Sequence, residues 1–155
     1  LIFSMTCKTT LKKRRENKDF CNKRKMTQKK TSLSAGAIIR DILLTDEEVK
    51  RRTNKIFPIV IDKALLPYIL YRRAALEHNS TKAGMPGADT VTMEVVCYTA
   101  KYAESVELAE AVRFALDYSQ RERDGLVMRG CVLDDSEEGY EDDAFFQRLI
   151  FRVKI

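Results

Sequence analysis

The chain has 155 residues, 45% of them hydrophobic, and a formal net charge of +5, which fits one domain with a modest core. No stretch approaches the roughly 18 apolar residues of a membrane span. The opening LIFSM is too short for a secretory signal, and the cations follow it instead of preceding it. The sequence therefore argues against a membrane span and against secretion.

The charge is divided between two unlike regions. Residues 1–31 hold eleven Lys or Arg and two acidic residues, whereas residues 32–155 hold 17 basic and 21 acidic residues. The first region has few large apolar side chains, so it is predicted to be a disordered basic arm, and residues 32–155 to be a single domain. Three interpretations of the arm stay open: an upstream extension of the reading frame before Met26, a solvated arm that helps assembly, or a segment that contacts nucleic acid.

The domain opens with a helical pattern. Ser32 or Ser34 can cap a first helix, whose apolar stripe consists of Ile38, Ile39, Ile42 and Leu43. Thr45 with Glu48 three positions later forms a capping-box pattern, which predicts a bend and a short second helical turn through Arg52.

Two strands and a loop follow. Residues 55–61 and 66–76 are rich in Ile, Val, Leu and Tyr, and each contains a proline, which marks a strand start, an edge or a bulge. Residues 78–89 contain two glycines and a proline, so they are predicted to form a loop into the third strand.

Residues 89–118 change from a strand period to a helix period. Val91, Met93, Val95 and Cys97 alternate with other residues, as in a strand with one face on a core. From Tyr102 onward, apolar residues recur at spacings of three and four, which predicts an amphipathic helix lying on the sheet.

The C-terminal third is predicted to be a turn and two strands. Residues 119–125 should turn the chain, residues 126–133 should form a fourth strand, and residues 145–155 a last strand with a basic face. Between these strands, residues 134–143 hold seven carboxylates and are predicted to be a solvated hairpin loop. Their order lacks the D-x-D-x-D-G pattern of a calcium loop.

Residues with catalytic potential are scarce. His78 is the only histidine and has no nucleophile motif beside it, and the G-M-P-G of residues 84–87 lacks the Lys and Ser/Thr of a phosphate-binding loop. The four cysteines lack C-x-x-C spacing, so they are predicted to be reduced thiols, with Cys97 and Cys131 in the core. No enzymatic activity, cofactor or metal is predicted.

The element order α-β-β-β-α-β-β predicts an α+β fold with a mainly antiparallel sheet of four to five strands, packed by an N-terminal helix and a central helix. Fold alone does not specify function.

Four segments in this order resemble a known family. They are AGAIIRDILLTDEEV, NKIFPIVIDKALLPYILYRR, TVTMEVVCYTAKYAESVELAEAVRFAL, and the acidic stretch that runs into FFQRLIFRVKI. The second contains Ile56-Phe57-Pro58 and Leu66-Pro67-Tyr68-Ile69, which are similar to the family's proline-marked pair of strands. From about residue 34 to the C-terminus, the chain resembles the tail-completion family of long-tailed bacteriophages and prophages, which includes tail terminators and tail-to-head joining proteins.

The resemblance implies a virion structural protein. It implies a ring, commonly of six subunits, at the head-proximal end of the tail, where it terminates the tail tube or joins it to the head. The implied partners are further copies of the chain, the tail tube protein and a head-side connector or stopper protein, with assembly in the host cytoplasm. The alternative is a nucleic-acid-binding module, in which residues 8–30 contact DNA non-specifically.

A ring needs complementary surfaces, and the C-terminal region supplies opposite charges. The hypothesis is that subunit or tube contacts involve these charges: Asp134, Asp135, Glu137, Glu138, Glu141, Asp142, Asp143, Arg148, Arg152 and Lys154.

Overall fold

The structure is a computed structural model that describes residues 29–80 and 88–155. After a 3-10 turn at Ser32–Ser34, its helices are α1 (Ala35–Thr45), α2 (Glu47–Arg52) and α3 (Tyr102–Leu116). Its strands are β1 (Ile56–Pro58), β2 (Tyr68–Glu77), β3 (Thr90–Thr99), β4 (Arg121–Arg123), β5 (Leu126–Met128), β6 (Gly130–Glu141) and β7 (Ala144–Lys154).

Five strands form one mixed sheet in the order β1-β2-β3-β7-β6. β1 pairs with β2 in parallel, and the other three pairings are antiparallel. The predicted α+β fold, with its mainly antiparallel sheet and two packing helices, is confirmed. β4 and β5 form a separate two-stranded hairpin.

The core lies between one sheet face and the helices. Cross-strand partners in antiparallel pairs share a face, so Met93 of β3 and Phe151 of β7 point the same way, and both are fully buried. The helices supply the facing apolar side chains, among them Ile38, Leu43 and Leu108. The buried face predicted for β3 is found, because Val91, Met93, Val95 and Cys97 are all buried, but Glu94 and Val96 on the other face are buried as well, so the middle of β3 is covered on both faces.

The capping residues predicted for the first helices are wrong. Ser34 precedes α1 without a side-chain capping bond, and Thr45 lies in the last turn of α1, where its hydroxyl donates to the Asp41 carbonyl. Asp46 caps α2 instead, since its carboxylate accepts hydrogen bonds from the backbone N–H groups of Glu48 and Val49, both at 3.0 Å. A hydroxyl inside a helix bonds back to the preceding turn and is then not free to cap the next helix.

The strand predicted at residues 126–133 is divided in two. Residues 121–128 form the β4–β5 hairpin, whose turn residues Asp124 and Gly125 both have positive φ, 52° and 77°. Asp-Gly favours this type of two-residue turn, so the reversal is confined to the end of the predicted turn and residues 121–123 form a short strand instead. The long strand then begins at Gly130.

The predicted acidic loop is also wrong for most of its length. Residues 134–141 belong to β6, which pairs with β7 up to Glu141 opposite Ala144. Only Asp142 and Asp143 form the turn, with φ of 49° and 60°. Acidic residues are usually unfavourable in a strand. They are tolerated in β6 because those on the outer face of the sheet have a neighbour on β7.

The two cysteines of the described ranges predict a pH dependence. Burial raises the pKa of the Cys97 thiol to about 12, and burial with the nearby Asp117 carboxylate raises that of Cys131 to about 12, from the usual 9.0. Above pH 9 the unfolded thiols ionise while the folded thiols stay neutral, so stability falls as pH rises. The variant Cys97→Ala/Cys131→Ala should show a shallower decline in the free energy of unfolding between pH 9 and 10. An unchanged slope would contradict the prediction.

Several predictions concern residues outside the described ranges. They are the basic arm with Cys7 and Cys21, and the G-M-P-G of residues 84–87. The residues on either side of this stretch are described: the Asn79 amide donates to the Ala88 carbonyl at 3.0 Å. Within residues 29–80 and 88–155, no helix is long and apolar enough to cross a membrane.

Candidate functional site

All ten predicted contact residues lie on the β6–β7 hairpin. The register brings the opposite charges together. Glu137 is directly opposite Arg148, and Arg152 is directly opposite Val132, two positions before Asp134. The Arg148 Nη1 atom lies 2.5 Å from Glu137 Oε2, and the Arg152 Nη2 atom lies 2.9 Å from an Asp134 oxygen. The acidic stretch and the basic face are therefore partners within one chain, not two separate charged surfaces.

The other predicted residues have different surroundings. Glu138 lies on the helix side of the sheet, where it accepts hydrogen bonds from Gln147 at 2.9 Å and from the Tyr102 hydroxyl at 3.0 Å. These two bonds lower the pKa of Glu138. Glu141 accepts a hydrogen bond from the Tyr98 hydroxyl at 3.2 Å, and Lys154 lies opposite Gly130 at the far end of the hairpin. The structure therefore gives Glu138 a role in joining α3 to β6.

The sheet face opposite the helices carries a second ion-pair centre, which no local sequence pattern indicates. Glu94 of β3 is 8% exposed in its side chain and lies between two arginines from neighbouring strands. Arg72 Nε donates to Glu94 Oε2 at 2.8 Å, and Arg148 Nε lies 3.0 Å from Glu94 Oε1. The Arg148 N–H is not directed at that oxygen, so the second contact is a charge attraction without a hydrogen bond. Arg72, Glu94, Arg148 and Glu137 thus form a row across four strands.

An aromatic row runs beside these charges. Tyr68 and Tyr98 stack with ring centroids 5.0 Å apart, and Phe146 follows at 6.1 Å from Tyr98. Burial, with the hydrogen bond to Glu141, raises the pKa of Tyr98 to about 12. The Phe146 ring covers Gly139 so closely that a Cβ there would lie 2.7 Å from a ring atom. A larger residue at position 139 would therefore force the Phe146 ring to move.

We call this surface the open face: the outward-pointing residues of β2, β3, β7 and β6 on the side away from the helices. Its side chains combine paired charges with stacked rings, which is a composition suited to burial against another protein. The sequence indicates that these side chains point outward, since Arg72 in β2 and Glu94 and Tyr98 in β3 occupy alternate positions of their strands. Their mutual contacts depend on strand register, which the sequence pattern does not give.

A serine, an aspartate and a histidine meet where the 3-10 turn, the end of β2 and the start of β3 come together, but not as a catalytic triad. The Ser32 hydroxyl donates to Asp89 Oδ2, and His78 Nδ1 lies 2.7 Å from Asp89 Oδ1. The bonds from Ser32 and then from His78 lower the pKa of Asp89. In a triad the histidine lies between the nucleophile and the carboxylate, so this order cannot activate Ser32. The cluster ties the 3-10 turn to the start of β3.

The described residues also provide no evident metal site. No group of three or more His, Cys, Asp or Glu is placed to hold a metal ion in residues 29–80 and 88–155. Four carboxylates of β6 are engaged elsewhere: Asp134 and Glu137 with arginines of β7, Glu138 with Gln147 and Tyr102, and Glu141 with Tyr98. The arrangement is suited to protein contacts.

The comparisons with known proteins agree with the fold. The family profile described as tail completion protein gp17 matches residues 37–155. No curated protein matches the chain. Among solved structures, a chain of the "Virion of native gene transfer agent (GTA) particle" superimposes with a TM-score of 0.68 at 18% identity, covering 80% of this chain and 98% of that one. At this identity the structural match shows a shared fold, and the profile match shows the family.

Proposed function

The chain belongs to the tail completion protein gp17 family, and from this premise we propose that it forms a ring at the head-proximal end of a phage-type tail. It is a structural component of such a tail. In the proposed role the ring terminates the tail tube, joins it to the head connector, or does both. The observation that carries the proposal is the family match, which spans nearly all of the described domain.

The geometry of the hairpin supports a contact role for its charges. Subunits in a ring meet through two different surfaces that complement each other. Burying a charge is costly unless it is paired. Because Arg152 and Asp134 are already paired within the subunit, a partner can cover both without leaving either unpaired. We therefore retain the ten charged residues of the hairpin as candidate contacts with a neighbouring subunit or the tube.

Deletion of the gene from the particle that encodes it tests the proposed role. We expect heads separated from tails or tails of irregular length in electron micrographs, with restoration by a complementing copy. Particles with joined tails of normal length would overturn the proposed function.

A charge exchange tests the hairpin contacts separately. The variant Arg152→Glu should lower the yield of joined particles. The exchange Asp134→Arg/Arg152→Glu restores the pair within the subunit but reverses the charge that each position presents to a partner. If the hairpin is a contact, the exchange should restore the melting temperature and leave joining impaired. Full restoration of joining would show that the pair acts only within the subunit.

A further inference from the structure

The most exposed large apolar side chains of the described residues fall into two groups. Phe114 and Tyr118 are 84% and 78% exposed, and Ile59, Val60 and Leu65 are 70%, 72% and 78% exposed. Clustered exposure of this kind marks a contact surface more often than scattered single residues do. We call residues 59–65 the apolar loop, and the surroundings of Phe114 and Tyr118 the α3 hollow.

The apolar loop projects from the β1 edge of the sheet. The Lys55 Nζ atom donates to the Leu65 carbonyl at 3.1 Å, so the loop returns alongside β1, the outermost strand. Ile59 has φ of 63°, and the Val60 N–H donates to the Pro58 carbonyl at 2.7 Å, which makes a strained three-residue turn. A β-branched residue rarely adopts positive φ, and such strain concentrates at functional positions. Here the strained turn presents two apolar side chains to solvent.

The α3 hollow lies at the other edge. It is a shallow depression of about 480 Å³ lined by Glu110, Arg113, Phe114, Asp117 and Tyr118. The Tyr118 N–H donates to the Cys131 carbonyl at 2.7 Å, and the Leu133 N–H donates to Asp117 Oδ1 at 3.1 Å. These bonds fix the end of α3 to β6, the edge strand farthest from β1.

The two groups are therefore separated by the width of the sheet, roughly 19 Å for five strands. A head-to-tail contact that closes into a ring requires unlike surfaces on two sides of one subunit. We propose that the apolar loop of one copy of this chain docks in the α3 hollow of the next copy. This inference rests on the proposed ring and names its subunit contact.

The charges around the two groups are compatible with this pairing in one orientation. The apolar loop carries Asp62 and Lys63, and the hollow is bordered by Glu110, while Arg113 and Asp117 lie 3.7 Å apart as a pair of their own. Docking would bring Lys63 towards the Glu110 side of the hollow, which favours one orientation of the loop. The apolar contacts supply the affinity, and the charges determine the orientation.

Disulfide trapping tests the contact. Val60→Cys and Phe114→Cys are introduced into one chain in which Cys7 and Cys21 are replaced by serine, and assembled particles or purified rings are oxidised. We expect a ladder of covalent oligomers from the double variant. Each single variant should give dimers at most, because a loop cysteine meets a hollow cysteine only across a head-to-tail contact. If the double variant forms intact rings but gives no covalent ladder after oxidation, the inference is overturned. The proposed ring would not be affected by that result.

Charge insertion provides a second readout that does not depend on cysteine geometry. Phe114→Glu and Val60→Glu should each lower the assembled fraction about tenfold or more, with little change in the melting temperature, because both side chains are exposed. Leu33→Glu is the matched control, since Leu33 is 64% exposed and belongs to neither group. Equal assembly by all three variants would contradict the contact. If the wild-type chain itself forms no ring in solution or on tails, the proposed function fails as well.

Discussion

Replacement of Phe151 by alanine is expected to lower the free energy of unfolding by about 3–5 kcal/mol. Phe151 is fully buried and is the largest such side chain in the described residues. In the register of the sheet it lies between Met93 on β3 and Leu133 on β6, so its removal leaves a cavity that neighbouring strands cannot close. Urea unfolding followed by circular dichroism measures the loss. Phe151→Leu, which keeps much of the volume, should cost about 1 kcal/mol.

Phe114→Ala is the matched control for this prediction. It removes the same atoms from a side chain that is 84% exposed, so the stability should change by less than about 0.5 kcal/mol. Comparable losses at positions 151 and 114 would show that the described core is wrong. The two positions also separate folding from assembly, since Phe114 is expected to matter only when copies of the chain meet.

Replacement of Glu94 by glutamine is expected to lower the free energy of unfolding by about 2 kcal/mol. The substitution keeps the shape of the side chain but removes the negative charge between Arg72 and Arg148. The loss is smaller than for a fully enclosed ion pair, because the two arginines are 56% and 32% exposed and water screens them in part. Chemical denaturation at low and at high salt measures it.

Glu137→Gln is the control on the same row of charges. Glu137 pairs with Arg148 but is 60% exposed, so its loss should cost less than about 1 kcal/mol and should vanish in high salt. If Glu94→Gln lowers the free energy of unfolding no more than Glu137→Gln does, the open face is not organised around Glu94. A greater loss at Glu94 supports a surface that is preformed in the isolated subunit.

A preformed open face has a consequence for assembly. Four of its charges, Arg72, Glu94, Arg148 and Glu137, are paired within the chain, and Arg148 also lies 5.5 Å from the Phe146 ring centroid. A partner that covers this row does not have to supply counter-charges for it. The sequence alone favours recognition of a partner through opposite charges. The paired charges of the structure make this explanation weaker and favour recognition through shape and apolar contact.

The strand-to-helix change at residues 89–118 could be predicted because it depends on local periodicity. β3 has its buried face at alternate residues, and α3 begins at Tyr102, as expected. The identity of Asp46 as a cap could not be predicted, because Thr45 and Asp46 are both good capping residues and only the length of α1 decides between them. The acidic stretch forms a strand and not the predicted loop because it pairs with β7, which follows the turn in sequence.

The fold class, the two packing helices and the family can be predicted from the residues in order, because hydrophobic period and segment order are properties of neighbouring residues. Which charges meet depends on long-range strand pairing. Strand register places Glu94 between Arg72 and Arg148 and Glu137 opposite Arg148, and it depends on bulges near Arg73 and Leu133 that no local pattern shows. The positions of the apolar loop and the α3 hollow at opposite edges likewise follow from strand order, since residues far apart in sequence are brought to the edges by long-range pairing.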